Sequence, residues 1–331
     1  MKKRCRQRKT MIGGQALIEG IMMRGPEKTC MAVKKPDGEV YTELSDTKKN
    51  KMRKIPFVRG VFAMIQSLTD GFGMISKSAE IAFPDEDSEE ELSKFDRWVG
   101  EKLGDNAVKV FSAIGMVLGV ALAIVLFMLV PIWLVNLLAS GFASWDASLG
   151  GSSGFVAAMN AALQISVVKS IIEGVIKILV FIGYLFAVTR MKDIHRVFEY
   201  HGAEHKTINC HEYGDELTVE NVRRSSRFHP RCGTSFMFIV LVVSIIIFSF
   251  ISWGNPLVRA GLKILALPVV MGISYEIIML AGRHDNFLCR ALSAPGMGIQ
   301  RLTTFEPQDD QIALAIEAFN AVLPPDGTDA L

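Results

Sequence analysis

The chain lacks a charge excess of either sign. Its 36 Lys and Arg stand against 34 Asp and Glu, a formal net charge of +2 over 331 residues, so no global field draws it to nucleic acid and any partner argument rests on local charge. It also lacks a disulfide framework. Cys5, Cys30, Cys210, Cys232 and Cys289 are odd in number and widely scattered, which favours reduced thiols or metal ligands over pairing. The basic start, Met1 to Lys9, is not followed by a signal-peptide core, because glycines and Gln15, Glu19 and Arg24 break the stretch from Ile12 to Gly25. The N-terminus is therefore expected to be retained and cytoplasmic. Charge itself is scarce: 21% of residues are charged and 50% apolar, with a mean hydropathy of +0.30. That balance excludes disorder and collagen-like repeats and is too apolar for an ordinary soluble domain.

The apolar residues fall in runs. Ala113 to Leu138 is free of charge and exceeds the roughly 20 residues a helix needs to cross about 30 Å of hydrocarbon. Thr234 to Trp253 and Leu257 to Ala281 flank Gly254-Asn255-Pro256, a turn too short to hold a domain, and so predict a helical hairpin. Ser166 to Ala187 is interrupted by Lys169, Glu173 and Lys177 but continues into a strongly apolar half. Four spans are expected. Lys and Arg crowd residues 189–233 and are missing from 139–163 and 254–256, which predicts that both termini and the central loop face the cytoplasm of a bacterial inner membrane.

Outside the spans, residues 10–45 read as a small β-rich unit, with Pro36-Asp37-Gly38 as a turn between two strand-like runs. Pro56 to Phe83 is amphipathic and predicts surface-lying helices, and six acidic residues between Pro84 and Glu91 predict a solvated linker. Asp310 to Leu323 places Ile312, Ile316, Phe319 and Leu323 on one helical stripe, stopped by Pro324-Pro325. The expected segments are 1–55 (β-rich unit), 56–106 (amphipathic helices and linker), 107–188 (two spans), 189–233 (His/Cys-rich loop), 234–282 (two spans) and 283–331 (C-terminal segment). The expected fold is thus a polytopic α-helical membrane protein with a small cytoplasmic α+β domain built from the N-terminal, central and C-terminal pieces.

Candidate chemistry concentrates in the central loop. His201-x-x-Glu204-His205 is the reversed zincin pattern, whose spacing of four puts both imidazoles on one helix face where they can share a divalent metal, expected to be zinc, with Glu204 as general base towards water. Cys210, His229 and Cys232 follow as further candidate ligands, and a third protein ligand for a zincin-like site is open among Glu276, His284, Cys210 and His229. Two competing readings exist. Ile194, Phe198, His201, His205 and Ile208 share helical spacing, so the histidines can be buried and merely hydrogen-bonded, and a His2Cys2 set would be a closed structural zinc site. A second cluster, Gly13 to Pro26, sets Gln15, Glu19 and Arg24 among glycines and suggests substrate contacts, although its spacing matches neither a P-loop nor a dinucleotide fingerprint. A third is intramembrane: Lys169, Glu173 and Lys177 share one helix face and must turn towards helices or water, with Glu276 a candidate partner.

Gly13-Gly-Gln-Ala-Leu-Ile-Glu-Gly-Ile-Met-Met-Arg-Gly-Pro26, Tyr200-His-Gly-Ala-Glu-His-Lys-Thr-Ile-Asn-Cys210 and Arg227-Phe-His-Pro-Arg-Cys-Gly-Thr-Ser-Phe236 resemble signature stretches of the YqhQ-like bacterial membrane proteins, the domain-of-unknown-function family 1385. The resemblance implies a metal-dependent membrane enzyme and carries no established substrate with it. It departs from that pattern at His211, where an aromatic commonly follows the cysteine. The leading expectation is a membrane-bound metal-dependent hydrolase with the bilayer as its partner. Two alternatives come from other classes: a transporter using Lys169, Glu173, Lys177 and Glu276, which would have to form a homo-oligomer to enclose a pore, and a zinc-stabilised scaffold.

Overall fold

A computed structural model describes residues 9–47, 55–84, 107–148, 154–251, 255–283, 287–325 and 329 of the chain. The acidic run after Pro84, the terminal Trp253 of one expected span, and His284 lie outside these residues. Contacts divide the chain into two units, one of residues 1–84, 183–243 and 268–331, the other of residues 85–182 and 244–267.

The first unit is organised by four short strands, β1 (Gly13–Leu17), β2 (Gly20–Arg24), β3 (Lys28–Lys34) and β4 (Val40–Asp46), paired in that order as an antiparallel meander. The β3–β4 connection is the Pro36-Asp37-Gly38 turn, and Gly38 takes a positive φ of 88° that a side chain would oppose. Because successive side chains alternate across a strand, the sheet has two apolar faces. Ile21, Met23, Cys30 and Ala32 point one way, into a core with Tyr200, Ala203 and Ile208 of helix α6 (Lys192–Glu212) and Leu314, Ala315, Ala318 and Phe319 of helix α11 (Asp309–Val322). Leu17, Met22, Met31 and Val33 point the other way, onto Ala82 of helix α1 (Val58–Ala82). The sheet is thereby covered on both sides, each fully buried large side chain contributing about 1.5–3 kcal/mol. The tail helix starts at a capping box between Gln308 and Gln311, which satisfies its first backbone donors reciprocally.

Among the described residues, three helices are long and apolar enough to cross a membrane. The first runs over Val117–Ser148, through α2 (Ala107–Ile124), a π-helical turn at Val125–Leu129 and α3 (Val130–Ser148). The widened turn immediately precedes Pro131, which has no N–H to offer the helical ladder. After α4 (Gly154–Gln164), the second lies within α5 (Ser166–Val188) as Val167–Val188, and the third within α9 (Pro256–Arg283) as Leu257–Leu280. The fourth expected span is shorter than its sequence run: α8 (Gly233–Ser249) has 17 residues, a rise of about 25 Å. Two further helices complete the described chain, α7 (Val219–Arg224) and α10 (Phe287–Thr303).

Candidate metal centre

Helix α6 carries an unusual burden for a helix of low hydropathy, because Tyr200 and every residue from Gly202 to Glu212 are buried. Buried polar groups cost free energy unless they are hydrogen-bonded, so each must be matched. Lys206 donates through Nζ to the carbonyls of Arg223 (2.8 Å) and Ser225 (3.0 Å) and pairs with Glu306 at 2.9 Å. Asn209 donates through Nδ2 to the carbonyls of Ser226 (2.7 Å) and Phe228 (3.1 Å). The segment after α7 is therefore clamped along α6 by its backbone, and the clamp delivers Cys232 to the histidine face.

The result is a cluster of His201, His205 and Cys232, whose ligand atoms all lie within 4.8 Å of one another; it is the one such group among the described residues. His201 Nδ1 lies 2.8 Å from the Thr303 carbonyl and His205 Nδ1 lies 2.7 Å from the Arg227 carbonyl. A carbonyl oxygen can only accept, so both Nδ1 atoms carry hydrogen, and Nε2 is the nitrogen left to donate to the Cys232 sulfur while a ring is protonated and to ligate once that proton is lost. His201 Nε2 is 3.2 Å from Cys232 Sγ. Two imidazoles fixed by backbone carbonyls and one thiolate form a nitrogen–sulfur donor set of the kind that holds zinc, with the outer hydrogen bonds that metal-binding histidines use.

Electrostatics favour the ligating form of the sulfur. Burial disfavours the Cys232 thiolate, but the imidazoles of His201 and His205 attract it and hydrogen-bond to it, which holds the thiol well below its ordinary range. Burial likewise opposes a charged His201, yet the Cys232 sulfur and the Thr303 carbonyl lift it to about 9. Glu204 is 6% exposed, and its Oε1 accepts the Gly14 backbone N–H at 2.9 Å. Burial raises its carboxyl above the usual range, partly offset by the neighbouring histidines. Glu204 thus stands beside the cluster, anchored to β1 by one oxygen.

Gly202, directly after His201 on α6, is required by a close approach. A Cβ there would overlap the Phe305 carbonyl oxygen, and the Phe305 N–H donates to the Phe198 carbonyl at 3.0 Å. That contact lays the chain after α10 against α6 and places the Thr303 carbonyl on His201.

The other candidates lie outside the cluster, and the His229 ring comes nearest, its centroid 5.8 Å from that of His205. His229 Nε2 is 3.3 Å from Glu212 Oε2, and its backbone N–H donates to Gln300 at 2.9 Å. Glu212 is fully buried, pairs with Arg231 and accepts the Thr10 N–H at 3.0 Å, so this network ties the start of the described chain to the end of α6. Its neighbour His211 faces Asp329 at 3.0 Å. Cys210 is buried among Val222 and Ile312, with Sγ 3.5 Å from the Glu216 carbonyl. Gln15 and Arg24 share the face of the sheet that looks towards α1, where they line a cleft of about 490 Å³ with Asp70, and Arg24 pairs with Asp70 at 2.9 Å. Gly14, one residue before Gln15, faces Glu204 across the opposite side. Glu19 sits in the β1–β2 turn at a φ of 49° and pairs with Arg196 of α6. Glu173 accepts from Arg259 and Lys263, whereas Glu276 accepts from Arg59 at 2.5 Å and from the Phe57 N–H at 3.0 Å. Lys169 is half-buried and Lys177 buried on α5.

Sequence reasoning missed Gly202, Lys206, Asn209 and the carbonyls of Thr303 and Arg227. The first three are in the Tyr200 to Cys210 stretch but carry no ligand chemistry, and a backbone carbonyl leaves no residue-type signal at all.

Residues 55–325 match the family model described as "Protein of unknown function (DUF1385)". The chain is 32% identical over 316 residues to the "Uncharacterized protein YqhQ" of Bacillus subtilis (strain 168), a match that covers 94% of this chain and 92% of that relative. No solved structure matches the chain.

Proposed function

Starting from a chain that belongs to the DUF1385 family, we propose a membrane-bound, metal-dependent hydrolase whose divalent ion, zinc by donor chemistry, is held by His201, His205 and Cys232. The observation that carries this reading is the pair of Nδ1–carbonyl hydrogen bonds, which leaves Nε2 of both rings as the nitrogen able to ligate, in a cluster whose ligand atoms, the Cys232 sulfur included, all lie within 4.8 Å of one another. Three protein donors are the number that catalytic zinc sites use, leaving a coordination position for water or substrate, whereas structural sites close with four. The ion would supply Lewis acidity. Glu204, anchored by Gly14, takes the proton from the attacking water and returns it to the leaving group.

The same proposal places the protein in a bacterial inner membrane with four spans, counting α8 as the fourth, and with both termini and the site on the cytoplasmic side, as the distribution of Lys and Arg favours. Cys232 immediately precedes α8 and α6 begins four residues after Val188, so the site is close in sequence to two apolar helices. That proximity suits a lipid-linked or membrane-proximal substrate.

Cobalt(II) substitution tests the ligand set. The cobalt-loaded protein is expected to show thiolate-to-cobalt charge-transfer absorption in the near ultraviolet, which Cys232→Ser removes while Cys210→Ser does not. Charge transfer that survives Cys232→Ser and disappears with Cys210→Ser would overturn the assignment.

A further inference from the structure

The second unit buries a charged cluster that has no part in the metal centre. On α5, Glu173 is 3% and Lys177 5% exposed; on α9, Lys263 is 1% exposed and Arg259 lies beside them. Glu173 accepts from Arg259 Nη2 at 2.8 Å and from Lys263 Nζ. Lys177 Nζ lies over the Phe248 ring, 5.1 Å from its centroid, and Lys263 Nζ lies 5.5 Å from the same centroid. One carboxylate therefore faces three cationic side chains. Asp146, the other described carboxylate of this unit, takes the side-chain amide of Asn160 at 3.0 Å.

Two donors in the cluster point to a missing partner. Among the described residues, Arg259 Nε is buried with no hydrogen-bond acceptor, and Lys177 Nζ meets a ring face and the field of Glu173. A buried cation is costly unless paired, and an orphaned buried donor adds its own desolvation cost. An anion placed among Lys177, Lys263 and Arg259 would satisfy both and offset the excess of positive charge. Its class follows from burial. Lys177 and Lys263 are 5% and 1% exposed and stand about 15 Å and about 9 Å of helical rise inside their apolar helices, with Arg259 about 3 Å inside, and an enclosed site of this kind is the most expensive place to desolvate a multiply charged ion. We propose that this cluster is a binding site for a small monovalent inorganic anion of the chloride type, set within the apolar helices.

The test is saturable binding of radiolabelled chloride to the full chain in detergent, paired with thermal melting in chloride against gluconate at constant ionic strength. Wild type is expected to bind chloride and to melt at higher temperature in chloride. Lys177→Met should lose both. Glu173→Gln removes the competing carboxylate and should move the other way, binding chloride more tightly and gaining more from it, so a fold weakened by the loss of Glu173 is distinguished from a missing site. Absence of chloride binding in wild type and in Glu173→Gln, or chloride binding unchanged in Lys177→Met, would overturn the proposal.

Discussion

Glu204→Gln is expected to lower cellular function by about 10²–10⁴-fold, the usual contribution of a positioned general base, while leaving metal content unchanged. The argument rests on how little else the substitution disturbs. The amide has the size of the carboxylate, and its oxygen can keep the Gly14 N–H that Glu204 Oε1 now accepts at 2.9 Å. Glu204 is not one of the three clustered donors, so the ion keeps its ligands. What disappears is the capacity to accept a proton beside His201 and His205. The readout is complementation of a deletion strain by plasmid-borne variants, with metal measured on the same purified proteins. Full complementation with metal retained would contradict the hydrolase reading and favour a zinc-stabilised scaffold.

Gly202→Ala tests the outer hydrogen bonds without touching a ligand. The added Cβ would overlap the Phe305 carbonyl oxygen and approach its carbonyl carbon to 3.2 Å, both backbone atoms that cannot rotate away. Forced repacking of this kind costs about 1–3 kcal/mol. The strand of chain it displaces bears Thr303, whose carbonyl holds His201 Nδ1, and loss of such outer partners weakens metal binding by about 10–100-fold. Gly202→Ala is therefore expected to melt earlier and to release its metal to a competing chelator more readily. The control is Gly298→Ala, at a helical glycine where a Cβ meets nothing within 4 Å. Equal metal affinity in Gly202→Ala and wild type would show that the Thr303 contact does not set the site.

How much of this was legible depended on the range of the physics. The apolar helices declare themselves through length and composition, and the β3–β4 hairpin through a local turn, so both could be read from sequence. The ends of α8 could not: the run from Thr234 to Trp253 is uncharged throughout, but the helix closes at Ser249. His201, Glu204 and His205 were legible because spacing of four is a property of one helix. Ranking Cys232 against Cys210 and His229 was not, since it depends on Lys206 and Asn209 capturing carbonyls about 17 residues away. Gln15, Glu19 and Arg24 look like one polar group in sequence. Strand alternation turns Gln15 and Arg24 towards α1, and the β1–β2 turn hands Glu19 to Arg196. Glu276 similarly looks like a partner for the face of Lys169, Glu173 and Lys177, but Glu276 is met by Arg59, and Glu173 by Arg259.

The most direct measurement of the central claim is metal content per chain, by plasma mass spectrometry, on detergent-purified protein after a chelator wash, with wild type beside His201→Ala/His205→Ala. About one equivalent of a transition metal in wild type and its loss in a double variant that still elutes as a folded protein is the predicted result for a three-donor site. No metal in folded wild type, even after incubation with zinc, would contradict it.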